Sequence, residues 1–261
     1  MAEEKYDLNG EDGMKIKKGK FGLWFENFWY HYKWHTIISL FIIFVVTICT
    51  VQMCSKEEYD AHIIYAGSQE VRGQKNENDI SMYETLSKSL NEAVEDFDEN
   101  GKVNSSLEAL YMLTAPEIAE VEKMILEMKE KGEESYTLNY AQLSENDKSF
   151  SERITYSDTY VFLLSETVYN KYQNTDYDVP VFVSLRGFVN EGVSVRFYDD
   201  AAVYLNSTEF GKLPGLCDLP ENTLIVLRSK GALSSHFNKK GTEKLYANAE
   251  QVVKNMINYG S

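Results

Sequence analysis

The sequence predicts an α/β protein in which an N-terminal transmembrane helix precedes a mixed, mostly parallel sheet with helices on both faces. Three observations carry that prediction. No Asp, Glu, Lys or Arg falls between Lys33 and Lys56, and the apolar centre of that interval covers residues 37–53. Between residues 61 and 172, short apolar runs alternate with segments whose apolar residues recur every three or four positions, the pattern of βαβ crossovers. Charge also divides at the apolar interval. Residues 1–55 hold six lysines and six acidic residues, so the whole formal charge of −15 lies beyond them, on 20 basic and 35 acidic residues.

The uncharged interval is long enough, at about 1.5 Å rise per residue, to cross a hydrocarbon layer of about 30 Å as one helix. A cleaved secretory signal begins close to the N-terminus, whereas about 35 residues precede this run, so a retained signal anchor is expected. A lipoprotein site needs a small residue before a cysteine, but Cys54 follows Met53 and Cys49 follows Ile48. Lys15, Lys17, Lys18, Lys20 and Lys33 precede the span, and Lys56 alone follows closely, which orients the N-terminus to the cytoplasm. Trp24, Trp29 and Trp34, with the phenylalanines and tyrosines around them, fall on several faces of the helix and read as an interfacial collar. The expected organisation is a disordered cytoplasmic tail over 1–20, a collar and single span over 21–55, and an extracytoplasmic α/β domain over 56–261. The anionic domain excludes nucleic acid and anionic lipid surfaces, which require phosphate neutralisation by Lys and Arg.

Within the domain, residues 61–66 read as a buried first strand ended by Gly67, and 67–78 as a loop. Met82, Leu86, Leu90, Val94 and Phe97 line one face of a helix predicted over 80–97. Residues 107–113 read as a strand. Thr114, Pro116 and Glu117 supply an N-cap, an early proline and a capping-box acid for a second helix, with Ile118, Val121, Ile125 and Met128 as its stripe and Gly132 as its stop. Residues 132–157 are acidic and weakly patterned, which predicts a loop or short helix. Residues 159–164 form a continuous apolar strand, and Ser165 caps a short helix carrying Val168 and Tyr172. Further strands are predicted over 179–185, where Pro180 confines the run to an edge or an opening position, and over 193–197, 202–205 and 223–228. A helix over 242–258 closes the chain.

One local pattern carries chemistry. Asp96, Asp98, Asn100 and Gly101, followed by the aliphatic Val103, match the first eight positions of a calcium loop, in which oxygens at alternate residues converge on the ion and glycine permits the sharp turn. The twelfth position is Leu107, where a bidentate glutamate is expected, and Glu108 is displaced by one. The competing reading is an acidic helix end followed by an Asn-Gly turn. Apart from this Ca²⁺ candidate no cofactor is indicated. No nucleophile elbow, Walker loop, dinucleotide fingerprint, HExxH or CxxC is present, so no catalytic residue is assigned. His62 and Cys217 read as packed core residues, the adjacent Asp199 and Asp200 as surface acids, and the domain's fifteen tyrosines as core and rim packing.

The WYHYKWH segment entering the span, the HIIYAG strand, the acidic Asn-Gly loop, DTYVFLLSETVYNKY and PGLCDLPENTLIVLRSK together resemble membrane-anchored proteins of Gram-positive bacteria. The outer domains of those proteins look like one lobe of a type II periplasmic solute-binding protein. The resemblance implies a non-enzymatic anchored domain that binds a solute or a partner protein. Two other functions remain open from the residues: a cell-surface hydrolase acting on envelope carbohydrate, and a structural membrane tether.

Overall fold

Thirty-five consecutive residues, Lys20–Cys54, form α1 in the computed structural model. The described residues are 20–54, 59–73, 81–133, 136–173, 180–230 and 239–261. Residues 1–19 of the tail expected over 1–20, connector residues 55–58, Ile80, Val179 and His236 lie outside them. The chain divides into two units, Met1–Glu57 and Glu58–Ser261.

In the first unit, Asn27–Val51 is long and apolar enough to cross a membrane, and none of it is buried by protein. The hydroxyls of Thr36, Thr47 and Thr50 donate to the carbonyls of Tyr32, Ile43 and Val46, which satisfies them without water. In the collar the rings are more ordered than the sequence suggests. Trp24, Phe28 and Tyr32 stack at successive four-residue steps, and Phe25 stacks on Trp29 beside them.

The second unit is built on five strands: β1 (Ala61–Gly67), β2 (Ser105–Tyr111), β3 (Val161–Ser165), β4 (Ala202–Tyr204) and β5 (Thr223–Leu227). Their order in the sheet is β2-β1-β3-β5-β4. β1 pairs in parallel with β2 and β3, whereas β5 pairs antiparallel with both β3 and β4. Four strands therefore run one way and β5 alone is reversed.

Six α-helices lie among the described residues: α1, then α2 (Met82–Asn91), α3 (Ala115–Glu130), α4 (Tyr140–Tyr156), α5 (Glu166–Gln173) and α6 (Lys239–Ile257). Alternation along the strands divides the core in two. Ile63, Tyr65, Val161, Leu163, Ile225 and Leu227 face α2 and α6, meeting Leu86, Leu90, Val252 and Met256. Ile64, Ala66, Phe162, Leu164, Leu224 and Val226 face the other way, onto Phe150 of α4 and Val168, Tyr169 and Tyr172 of α5. Strands covered on both sides read as unbroken apolar runs, which is why β1, β3 and β5 stand out in the sequence.

Four expectations are corrected. The first domain helix ends at Asn91 rather than Phe97, because the Asn91 side chain accepts from the Ser105 N–H and hydroxyl and the following amides tighten into three-residue steps. Residues 140–156 form a full 17-residue helix rather than a loop or short helix, capped by Asn139. Residues 181–185 run beside β5 through the Val183 amide and a single bridge from Phe182 to Arg228, without forming a strand. Residues 193–197 likewise make one bridge, from Phe197 to Val203.

β2 lies at an edge of the sheet, and side chains occupy three of its outward main-chain groups. Asn91 accepts from the Ser105 amide, Tyr83 donates to the Leu107 carbonyl and Asn146 to the Tyr111 carbonyl.

Candidate functional site

β1 is followed by α2, which packs on one face of the sheet, and β2 by α3 and then by α4, which packs on the other. A crevice lies beyond the carboxyl ends of β1 and β2, the side of the sheet on which α/β proteins place ligands. Here the crevice is an open cleft of about 700 Å³. Ser68, Gln69, Glu70 and Arg72 enter it from the segment leaving β1, and Tyr111 from the last position of β2. Met82 enters from the first turn of α2, and Tyr136, Thr137, Leu138, Asn139 and Gln142 from the start of α4.

Local chemistry holds these groups in place. The Gln69 amide donates to the Tyr65 hydroxyl at 3.2 Å, which steers the chain as it leaves β1. Gly67 is needed at that exit, since a Cβ there would stand 2.8 Å from the same hydroxyl. Ser81 caps α2 by accepting from the Glu84 amide, and Asn139 caps α4 by accepting from the Gln142 amide, both at 3.1 Å. Arg72 Nη2 donates to Glu70 Oε2 at 2.7 Å, so the cleft's formal charges cancel. Burial pushes the Tyr111 hydroxyl above its ordinary pKa, and Tyr136, Glu70 and Glu117 add to that shift, so the group stays protonated at neutral pH. The cleft draws on four separate stretches of chain, and no spacing in the sequence marks it.

The calcium-like loop lies elsewhere, between α2 and β2. The structure brings Asp96, Asp98 and Asn100 together and adds an acid that the sequence pattern did not include. Asp60, immediately before β1, is buried and places a carboxylate oxygen within 4.8 Å of those of Asp96 and Asp98. Parallel pairing of Ala61 with Ser105 brings Asp60 to the far end of the loop. Its Oδ1 accepts from the Phe97 amide at 2.8 Å and the Asp98 amide at 3.3 Å, and its Oδ2 from the Asn104 amide at 3.0 Å. Asp96 accepts from the Asn100 and Gly101 amides, and Asn100 Oδ1 from the Lys102 amide. Glu99 and Gly101 take the left-handed conformation, at φ of 59° and 82°. The Asn100 amide holds the Asp98 carboxyl below the usual carboxylate range. The donors are all oxygen, a set suited to a hard cation, yet main-chain N–H groups already support the loop.

Other candidate residues stand apart from both places. His62 is exposed beside the ring of Tyr59 rather than packed, with its pKa lowered by partial burial against the opposing effect of Asp158. Cys217 is exposed as well, because the turn that carries it folds Leu216 and Leu219 inward instead. Asp199 accepts from Tyr169 and Asp200 pairs with Arg186, so these neighbouring acids serve different partners. Tyr204 donates to Glu166 and Tyr172 to Asp147 in the same manner, which accounts for several rim tyrosines as anchors for carboxylates. Comparison with protein-family models, with curated proteins and with solved structures finds no significant match to the chain.

Proposed function

We propose that this chain is a single-pass membrane protein, with its N-terminus in the cytoplasm, whose extracytoplasmic α/β domain acts as a solute-binding-like lobe without catalytic activity. The carrying observation is the open cleft at the carboxyl ends of β1 and β2, where groups able to donate and accept hydrogen bonds surround a volume suited to a small solute. Anchorage is supported by the continuous helix Asn27–Val51, long and apolar enough to cross a membrane, and by its aromatic collar. Binding is favoured over glycan hydrolysis because Glu70 is the one carboxylate among the cleft's described lining residues. Hydrolysis draws on a pair of carboxyl groups, and Glu70 is engaged by Arg72.

A thermal-shift screen of the full-length chain in a non-glycosidic detergent against a broad solute library tests the reading. A ligand at one hundred times its Kd adds about 2.7 kcal/mol of stability, and a tenfold loss of affinity on substitution of Tyr136 or Gln142 should cut the gain to about 1.4 kcal/mol. A library in which no solute stabilises the chain through the cleft overturns solute binding. Protease added to intact cells tests the orientation, with digestion of the domain and protection of the N-terminal tail as the expected result.

A further inference from the structure

The described residues that line the cleft carry no net charge inside a strongly anionic domain, and this mismatch narrows the ligand class. Residues 56–261 carry the whole formal charge of −15, while among the described lining residues Glu70 pairs with Arg72 and the others are uncharged. The surrounding field repels anions, and these lining residues hold no uncompensated charge to recover that cost. Its polar side chains are of a particular shape. Gln69, Glu70, Arg72, Asn139 and Gln142 end in planar groups with two or more hydrogen-bonding atoms side by side, a geometry that matches two neighbouring hydroxyls better than a single one. Asn139 spends its oxygen on the α4 cap, which leaves its NH₂ as a donor.

Two rings complete the set. Tyr111 closes β2, and Tyr136 is 53% exposed, so a ring face is open to stacking. Rings that stack on C–H faces, combined with planar amides that bind hydroxyl edges, suit a saturated ring with hydroxyls around its rim. Peptide capture by strand addition is disfavoured, because Tyr83, Asn91 and Asn146 occupy three of the main-chain groups of the β2 edge. We infer that the cleft takes a short neutral oligosaccharide, held by stacking on Tyr136 and by paired hydrogen bonds from the planar side chains. This rests on the reading of the cleft as the solute site, and it specifies the solute.

The experiment uses the full-length chain in a non-glycosidic detergent, with saturation-transfer NMR and calorimetry as readouts. The probes are cellobiose, maltotriose and diacetylchitobiose as neutral sugars, digalacturonate as an anionic sugar, and glycylglycine as a zwitterion. At least one neutral sugar should bind, more tightly than digalacturonate at low ionic strength. Tyr136→Ala and Gln142→Ala, both at exposed positions, should each weaken it about tenfold while leaving the melting temperature of the free protein unchanged. Preferential binding of digalacturonate or glycylglycine, lost in the same variants, overturns the neutral-sugar class and leaves the cleft as a solute site. Binding of every sugar with undiminished affinity in both variants overturns the assignment of sugar to this cleft. If none of the five probes binds while the broad solute screen yields a cleft ligand of another class, the carbohydrate inference falls alone; if that screen is also empty, both fall together.

Discussion

Replacing Asp60 by alanine should loosen the loop between α2 and β2 and lower the stability of the whole domain. The buried carboxylate accepts two well-formed amide hydrogen bonds, from Phe97 at 2.8 Å and Asn104 at 3.0 Å, and a longer one from Asp98. Hydrogen bonds to a charged group are worth about 1.5–3 kcal/mol each. The two short bonds together therefore set a ceiling of about 6 kcal/mol, and partial exposure of the amides to water reduces the expected loss to about 3 kcal/mol. For a domain of this size that corresponds to a fall in melting temperature of about 6–12 °C. Asp60→Asn retains one carbonyl acceptor but turns an NH₂ group toward a donor, so it should recover less than half of the loss. Denaturant titration with an unchanged m-value measures the difference without interference from a change in compactness. A loss under about 1 kcal/mol for Asp60→Ala would show that the loop is held by its own turn and not by this carboxylate.

Millimolar calcium should raise the melting temperature of the wild-type chain, and Asp98→Ala should remove the shift; an unchanged melting temperature in the wild type rejects the loop as a calcium site. Gly211→Ala should destabilise by about 3 kcal/mol or more, since the added Cβ falls 2.1 Å from the Leu205 carbonyl oxygen, and denaturant midpoints check it. Alkaline pH should unfold the domain early. Burial raises the pKa of Tyr65, Tyr169 and Tyr172 and pushes Tyr246 up to about 12. Groups with a folded pKa above the unfolded value stabilise fully below about pH 10 and lose that contribution as pH rises through the folded values. Melting curves should therefore shift downward above pH 10, and Tyr246→Phe should reduce the slope.

The parts of the fold that were legible in the sequence are those whose burial is uniform or whose caps are local. β1, β3 and β5 show as continuous apolar runs, and α3 is announced by Thr114, Pro116 and Glu117, whose carboxylate returns to the Thr114 amide at 2.7 Å. α4 was hidden because its buried residues Leu143 and Phe150 are seven apart, with Asp147 between them on the inward side. That acid is tolerated there because Lys171 and the Tyr172 hydroxyl meet it. Residues 181–185 have strand composition, but Phe182 makes only one bridge, and composition does not report pairing. The metal-like loop was readable as far as Asp96, Asp98 and Asn100. Asp60 was not, because only the parallel register of β1 and β2 brings it there. The cleft depends even more on topology, since it gathers side chains from both sides of a crossover.

The side chains seated on the edge of β2 have a further consequence if the proposed anchor confines the chain to a membrane surface. Diffusion in two dimensions raises the rate at which identical copies collide, and an unguarded strand would let each collision extend a shared sheet from one copy to the next. With Asn91, Tyr83 and Asn146 seated on three of its outward amide and carbonyl groups, β2 offers a neighbour fewer places to pair. Lateral crowding of anchored copies should therefore less readily join them through this strand, and loss of the Tyr83 hydroxyl or the Asn146 amide should show as increased clustering.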